Sequence, residues 1–234
     1  MKQYLEETVM LNYDHPTIQT LIQQQHWQSL DGIPQIAAIY DYVRNQIVFG
    51  YNVRDDLCAS QVLADGYGQC NTKTTLLMAL LRAVGIPCRI RGFYIHKTMQ
   101  KGALTGIVYF FAPQKIVHAW TEVYVNNSWV ALEGVIVDDC FLQYAKPKLQ
   151  AKNGGLLGYG IAVDLQDTFD VDFCGKSTYI QSYAITDELG IFSSPDLFFA
   201  QYHNTPTWIK QRLFAILRKR INQRLTVMRN TIKR

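Results

Sequence analysis

The sequence predicts an α+β fold, and two observations carry that prediction. One segment, from Gln69 to Val84, has the period of a well-formed amphipathic helix. Immediately after it the period changes to two, and a strand is followed by a β-hairpin. A helix that leads into antiparallel strands, rather than alternating with parallel ones, is the α+β order.

The helix from Gln69 to Val84 carries Leu76, Leu77, Leu80, Leu81 and Val84 on a broad apolar face, and Gly85-Ile86-Pro87 stops it. Cys88 to Ile95 then alternates as a strand. Lys97 to Thr105 is polar and reads as a loop. Val117–Val125 and Ser128–Gly134 alternate on either side of Asn126-Asn127, a two-residue hairpin turn. Upstream, residues 1–50 read as helical. Pro16 opens one apolar pattern, and Ile36, Ile39, Tyr40, Val43 and Ile47 follow a second after Pro34. Residues 50–66 read as irregular, with Asp55-Asp56 and Gly66 as loop signals. The Gly-rich stretch 150–160 reads as a mobile connection. Residues 207–232 read as a long amphipathic helix with Ile209, Leu213, Leu217, Ile221, Leu225, Met228 and Ile232 on one seam.

The 234 residues, 48% of them apolar, are enough for a full hydrophobic core. No apolar run is long enough to predict a transmembrane helix, and the acidic start predicts no signal peptide. Five cysteines without a C-x-x-C pair predict free thiols in a reducing, cytoplasmic setting, with no disulfide framework and no zinc site. The net charge of +4 is unevenly spread. Residues 203–234 hold nine Lys/Arg and no acid, while the rest carries a net of −5. A docked helix with a solvated basic face accounts for that segment. Peripheral membrane contact through residues 207–232, with Trp208 at the interface, is the next expectation. Nucleic-acid binding is not expected, since no stacking aromatics accompany the charge.

Chemistry is suggested first at Cys70. It follows Gly66-Tyr67-Gly68-Gln69 and opens the helix, where unpaired N–H groups and the helix dipole favour a thiolate. Taken alone, a small apolar residue starting a buried helix explains the position as well. His118 begins the hairpin. A two-residue turn pairs Val125 with Ser128, so Trp120 is expected to face Glu133 and His118 to face Val135. His118 and Glu133 then share a face as diagonal neighbours. A thiol, an imidazole and an orienting carboxylate together make a complete nucleophilic unit. Trp120 shares that face, as a substrate wall or as core. Gln61 and Gln69 read first as ordinary polar residues, with oxyanion donation the alternative for each and neither assigned to it. Arg89 and Arg91 read as a solvated face or as a recogniser of acidic groups.

Three blocks resemble the transglutaminase-like superfamily of papain-like cysteine enzymes. They are Gln61–Cys70 continuing through Leu80-Leu81-Arg82-Ala83-Val84-Gly85-Ile86-Pro87, then His118–Val125, then Trp129–Glu133. The resemblance implies a papain-like core with helical N- and C-terminal additions. It implies Cys70 as nucleophile, His118 as base and Glu133 as third member. Family members usually have Asp in an Asp-Pro-Thr-like stretch at that third position. This chain has Glu133-Gly134-Val135, with Asp138 or Asp139 as fallback. The implied chemistry is attack on an amide or peptide carbonyl of a protein, peptide or small amide. A thioester forms and passes to water or an amine, as in a hydrolase, deamidase or acyltransferase, with no cofactor and no metal. A catalytically inactive interaction module of the same fold is the alternative. The expected organisation is residues 1–50 as the N-terminal helical part of the core, 51–140 as the catalytic core, 141–202 as an extension of unread role and 203–234 as the basic helix.

Overall fold

The computed structural model describes residues 1–202 and 208–232, with the side chains of 107 and 208–213 outside the described set. In chain order the elements are α1 (Pro16–Gln24), α2 (Gly32–Asn45), β1 (Val48–Phe49), α3 (Ala59–Asp65), β2 (Tyr67–Gly68), α4 (Cys70–Ala83) and β3 (Cys88–His96). There follow α5 (Gly106–Phe111), β4 (Lys115–Val125), β5 (Ser128–Ala131), α6 (Asp139–Ala145), β6 (Gln150–Lys152), β7 (Gly155–Gly158) and β8 (Ile161–Asp164). The last three are β9 (Ile185–Phe192), α7 (Pro195–Gln201) and α8 (Trp208–Asn230). The fold is α+β, with a papain-like order of a central helix followed by an antiparallel sheet.

The main sheet has the order β5-β4-β3-β9, antiparallel throughout. The central helix α4 packs against it. Every residue of α4 from Cys70 to Arg82 is buried, so its apolar face meets the sheet while α1, α2 and α3 cover the rest. The turn chemistry is as read from sequence: Asn126 and Asn127 both adopt positive φ, at 50° and 62°, and Val125 pairs with Ser128. Those two left-handed residues match the twist of the flanking strands.

Three readings of the chain are corrected. The stretch 50–66 holds α3, capped by Gly66 at φ 69°. Its seven residues are too few to show a helical period. The Gly-rich 150–160 stretch forms a second antiparallel sheet, β6-β7-β8, turned at Asn153-Gly154. Glycine there supplies left-handed turn conformations. Arg89 and Arg91 are only partly exposed, and both are ion-paired. Arg89 meets Glu122 at 2.6 Å and lies over the Trp129 ring, and Arg91 bridges Glu122 and Glu188.

The C-terminal helix docks inward. Ile221, Leu225 and Met228 are buried, and Leu217 is half-buried. Ile209 and Leu213 of the expected seam, Trp208 of the expected membrane contact, and 203–207 and 233–234 of the basic segment lie outside the described residues or side chains. Ile232 is exposed. Arg218 and Arg229, which the charge count assigned to a solvated face, share the buried stripe. Arg218 donates to the Tyr67 hydroxyl, and Arg229 pairs with Asp138. Among the described residues no helix is long and apolar enough to cross a membrane.

Candidate active site

The site is built where the hairpin stops being a sheet. β5 pairs with β4 only from Ser128 to Ala131, and Leu132 N–H makes the last bond, to Thr121 O at 2.9 Å. Beyond that point the outer edge of β4 has no strand. The N-terminal half of α4 takes the strand's place: Asn71 Nδ2 donates to Val117 O at 3.0 Å and Thr74 Oγ1 to Ala119 O at 3.2 Å. Obligatory backbone acceptors on an open edge are thus met by helix side chains. The consequence is that Cys70, at the first position of α4, lies against the His118–Ala119 peptide. The N–H groups of Asn71 and Ala119 there favour its charged form.

Two glycine-dependent features hold this helix start in place. A Cβ at Gly68 would come within 2.7 Å of Thr72 Oγ1 and 2.9 Å of Lys73 Cγ, so only glycine lets the chain pass so close to the helix it enters. Gly134 plays the same part beside Glu133, where a Cβ would collide with the Tyr40 hydroxyl.

His118 is fully buried, and its Nε2 lies 2.7 Å from Glu133 Oε1, also fully buried. The other carboxylate oxygen is fixed as well: Glu133 Oε2 accepts from Ile180 N–H at 2.9 Å and Gln181 N–H at 3.1 Å. A carboxylate held by two backbone donors accepts a hydrogen bond from Nε2–H on its remaining oxygen, and in that tautomer the Nδ1 lone pair of His118 is free. Nδ1 is buried and has no hydrogen-bond partner among the described residues. Nδ1 is thus a buried acceptor left open on the strand that α4 packs against.

The predicted pairing is realised through a different backbone path. Trp120 does not face Glu133 and His118 does not face Val135, because the strand ends at Ala131 and residues Glu133–Ile136 form a 3-10 turn. The segment instead pairs with the 177–181 stretch: Thr178 N–H donates to Ala131 O, Glu133 N–H to Thr178 O, and Gly134 N–H to Thr178 Oγ1. Tyr40 anchors the other side, donating to Val171 O at 2.6 Å and lying 3.2 Å from Thr178 Oγ1. The longer Glu side chain spans the gap that this turn opens.

Asp138 and Asp139 are occupied elsewhere. Asp138 caps α6 by accepting from Phe141 N–H, accepts from Phe49 N–H, and pairs with Arg229. Asp139 pairs with the buried Arg44. Gln69 is tied by its side chain to Asp55 at 2.9 Å and to Asn52 N–H at 2.7 Å, and Gln61 to Asp65 at 2.8 Å. Trp120 stacks on Phe93, with centroids 4.1 Å apart, and presents an edge to both His118 and Tyr179. Its ring is 5% exposed, so it roofs the imidazole rather than lining an open surface.

Burial pushes the Cys70 thiol up, and the nearby negative charge of Asp55 pushes the same way. The N–H groups of Asn71 and Ala119 pull it down, and Glu133 again raises it. The expected depression by the helix start is therefore outweighed in the resting site. An uncharged thiol in a dry site becomes nucleophilic when its proton moves to an adjacent base. Sequence reasoning did not anticipate Thr178, Ile180, Gln181 or Ala119. Each acts here through its backbone, at least in part, so residue type gave no signal. Among the described residues no group of His, Cys, Asp and Glu could hold a metal ion.

The chain belongs to the transglutaminase-like superfamily, whose family model matches residues 18–134. No curated protein matches it. Among solved structures it is similar to a candidate cysteine protease from Cytophaga hutchinsonii, at 15% identity and TM-score 0.45, covering 82% of this chain and 47% of that one. It is also similar to a candidate protease from Parabacteroides distasonis (16% identity, TM-score 0.34, 52% of this chain and 24% of that one). A third is red sea bream transglutaminase (15% identity, TM-score 0.32, 55% and 26%). The chain thus spans less than half the length of each of these structures.

Proposed function

We propose that this protein is a thiol enzyme that attacks amide or peptide carbonyls through a thioester on Cys70. The observation that carries the reading is the His118–Glu133 pair: both side chains are fully buried, the carboxylate is held at both oxygens, and the imidazole nitrogen left over is unpartnered. In this reading His118 Nδ1 removes the Cys70 proton as Sγ bonds to the carbonyl carbon. The carbonyl π-bond pair moves onto oxygen, and the N–H groups at the start of α4 supply positive potential there. Collapse expels the amine, which takes the proton from His118 and leaves the thioester. Water, or an amine, then attacks that thioester with His118 again as base, and Cys70 is released. Glu133 stabilises the imidazolium in both halves. Hydrolysis or deamidation is the leading outcome in this reading, with transfer to an amine the other. The substrate class is a protein, peptide or small amide.

The test is direct trapping. Full-length protein is incubated with p-nitrophenyl acetate and with a blocked glutaminyl peptide, quenched in acid, and digested for peptide mass spectrometry. An acyl adduct on the Cys70 peptide, released by hydroxylamine and missing in His118→Ala, is the expected result. Acylation that is equally fast in His118→Ala, or none at Cys70, would instead place this chain among non-catalytic modules of the fold.

A further inference from the structure

The short strand β1 runs beside β2, and β2 leads straight into Cys70. On its inner edge β1 bonds to the nucleophile's own lead-in: Val48 N–H to Gly66 O and Gly50 N–H to Gly68 O. Its outer edge presents four backbone groups, the N–H and C=O of Phe49 and of Tyr51. No strand covers them. Phe49 N–H goes to Asp138 at 2.9 Å, and Phe49 O accepts from Arg229. Tyr51 N–H goes to Asn222 Oδ1 at 2.9 Å, and Tyr51 O accepts from Asn222 Nδ2 at 3.1 Å. Three of these four bonds come from side chains of α8. A single amide thus closes both groups of Tyr51, as a neighbouring strand would.

What Tyr51 touches makes this relevant to the site. Its side chain is buried in the same core as Cys70, and its hydroxyl donates to Gln100 at 2.8 Å. The next residue, Asn52, is a buried hub for the nucleophile's turn. Its N–H donates to Gln69 Oε1, its Oδ1 accepts from Thr72 Oγ1 at 2.7 Å, and its Nδ2 reaches Asp65 and Tyr67 O. Gly50 brings the layers together: a Cβ there would sit 3.3 Å from both Asn222 Oδ1 and the Tyr67 side chain.

We infer that Asn222 is a positioning residue for Cys70, and that α8 acts as a strap that sets the nucleophile's alignment through Tyr51 and Asn52. The inference rests on the thiol-enzyme reading above. Loss of the Asn222 amide releases both outer groups of Tyr51 to water. The Asn52–Gln69–Thr72 contacts slacken, and with them the placement of the helix-start N–H groups beside Cys70. The thiolate loses donors, so its formation moves to higher pH.

The experiment measures the rate of iodoacetamide alkylation at Cys70, by peptide mass spectrometry, across a pH series on the full chain. In Asn222→Leu, which keeps side-chain size and removes both bonds, the rate near neutral pH falls about tenfold and the profile moves up by about one unit. Leu225→Val, a core trim one turn further along the same buried face, is the control for plain destabilisation and keeps the wild-type profile. Asn222→Asp keeps an acceptor for Tyr51 N–H and loses the donor. It gives an intermediate profile and serves if the Leu variant does not fold. An Asn222→Leu or Asn222→Asp profile that overlays wild type overturns the strap, as does an equal shift in Leu225→Val. A wild-type rate indifferent to His118→Ala removes the thiol-enzyme reading and the strap together. A His118-dependent wild-type rate with unmoved Asn222 profiles removes the strap alone.

Discussion

Replacing Glu133 with Gln is the sharpest perturbation of the proposed chemistry, because shape is kept and only charge and one proton change. The carboxylate now accepts three hydrogen bonds, one from His118 and two from the Ile180 and Gln181 N–H groups. An amide cannot reproduce that set. If its oxygen faces the two backbone donors, its NH2 points at His118 Nε2 and is accepted only by an unprotonated nitrogen. The ring proton then sits on Nδ1, where it blocks uptake of the thiol proton. If the amide is reversed, its NH2 meets two N–H groups that it cannot accept from. The buried imidazolium also loses its counter-charge, and breaking one side of a buried pair costs about 3–5 kcal/mol. At about 1.4 kcal/mol per tenfold, this predicts a fall in reactive ion pair of at least about a hundredfold. The assay is the second-order rate of Cys70 alkylation by iodoacetamide near neutral pH, with Cys58 and Cys174 peptides as internal references. Those two thiols are partly or fully exposed and have no part in the Glu133 hydrogen bonds, so they keep their rates. A Glu133→Gln rate at Cys70 within about threefold of wild type would refute the tautomer argument, since the invoked pairing is worth far more than that.

Two further predictions concern what holds the site in place. Lys73 is fully buried, donating to Arg44 O at 3.0 Å and Ile136 O at 3.1 Å, and burial lowers its amine from 10.5 to about 7. Asp138 opposes that shift, while Arg229 and Arg44 reinforce it. Between about pH 7 and 10.5 the unfolded chain therefore holds a proton that the folded chain has released, so wild-type stability rises with pH in that window, by up to about 1.4 kcal/mol per pH unit. Urea melts of wild type and Lys73→Met should diverge over the same range, with wild type gaining on the variant as pH rises. A constant difference would show that the amine titrates normally. Arg229 and Asp138 form a pair with side chains 8% and 4% exposed. Arg229→Ala should lower stability by about 3–5 kcal/mol by stranding the Asp138 charge, and Asp138→Asn added to it should recover part of that loss. Thermal melts of the single and double variants decide it, and simple additivity would sink the account.

The sequence by itself determined the parts of this protein whose cause is local. The period of Gln69–Val84 and its Gly-Ile-Pro stop come from side-chain spacing and backbone permissiveness, and α4 follows them. Asn126-Asn127 specified a two-residue turn, and that turn set which face of β4 and β5 each side chain takes. That register also singled out His118 and Glu133 as a pair, although the structure joins them through the 3-10 turn after β5 instead, and Cys70 was legible because a helix start is written in its neighbours. The short helix α3 and the sheet β6-β7-β8 were not legible, since elements of three to seven residues carry too little periodicity.

Only the tertiary structure decided how the site is held. The strand ending at Ala131, the 3-10 turn from Glu133 and the Ile180 and Gln181 N–H groups on Oε2 depend on chain segments about fifty residues apart, meeting through backbone atoms that every residue type shares. Charge shows the same division. Composition marked residues 203–234 as a basic, water-facing segment, yet Arg218 and Arg229 turn inward because Tyr67, Asp138 and Phe49 O wait there for donors. Periodicity reports which face of an element is apolar. It does not report which buried acceptors on a distant element will draw a charged residue onto that face.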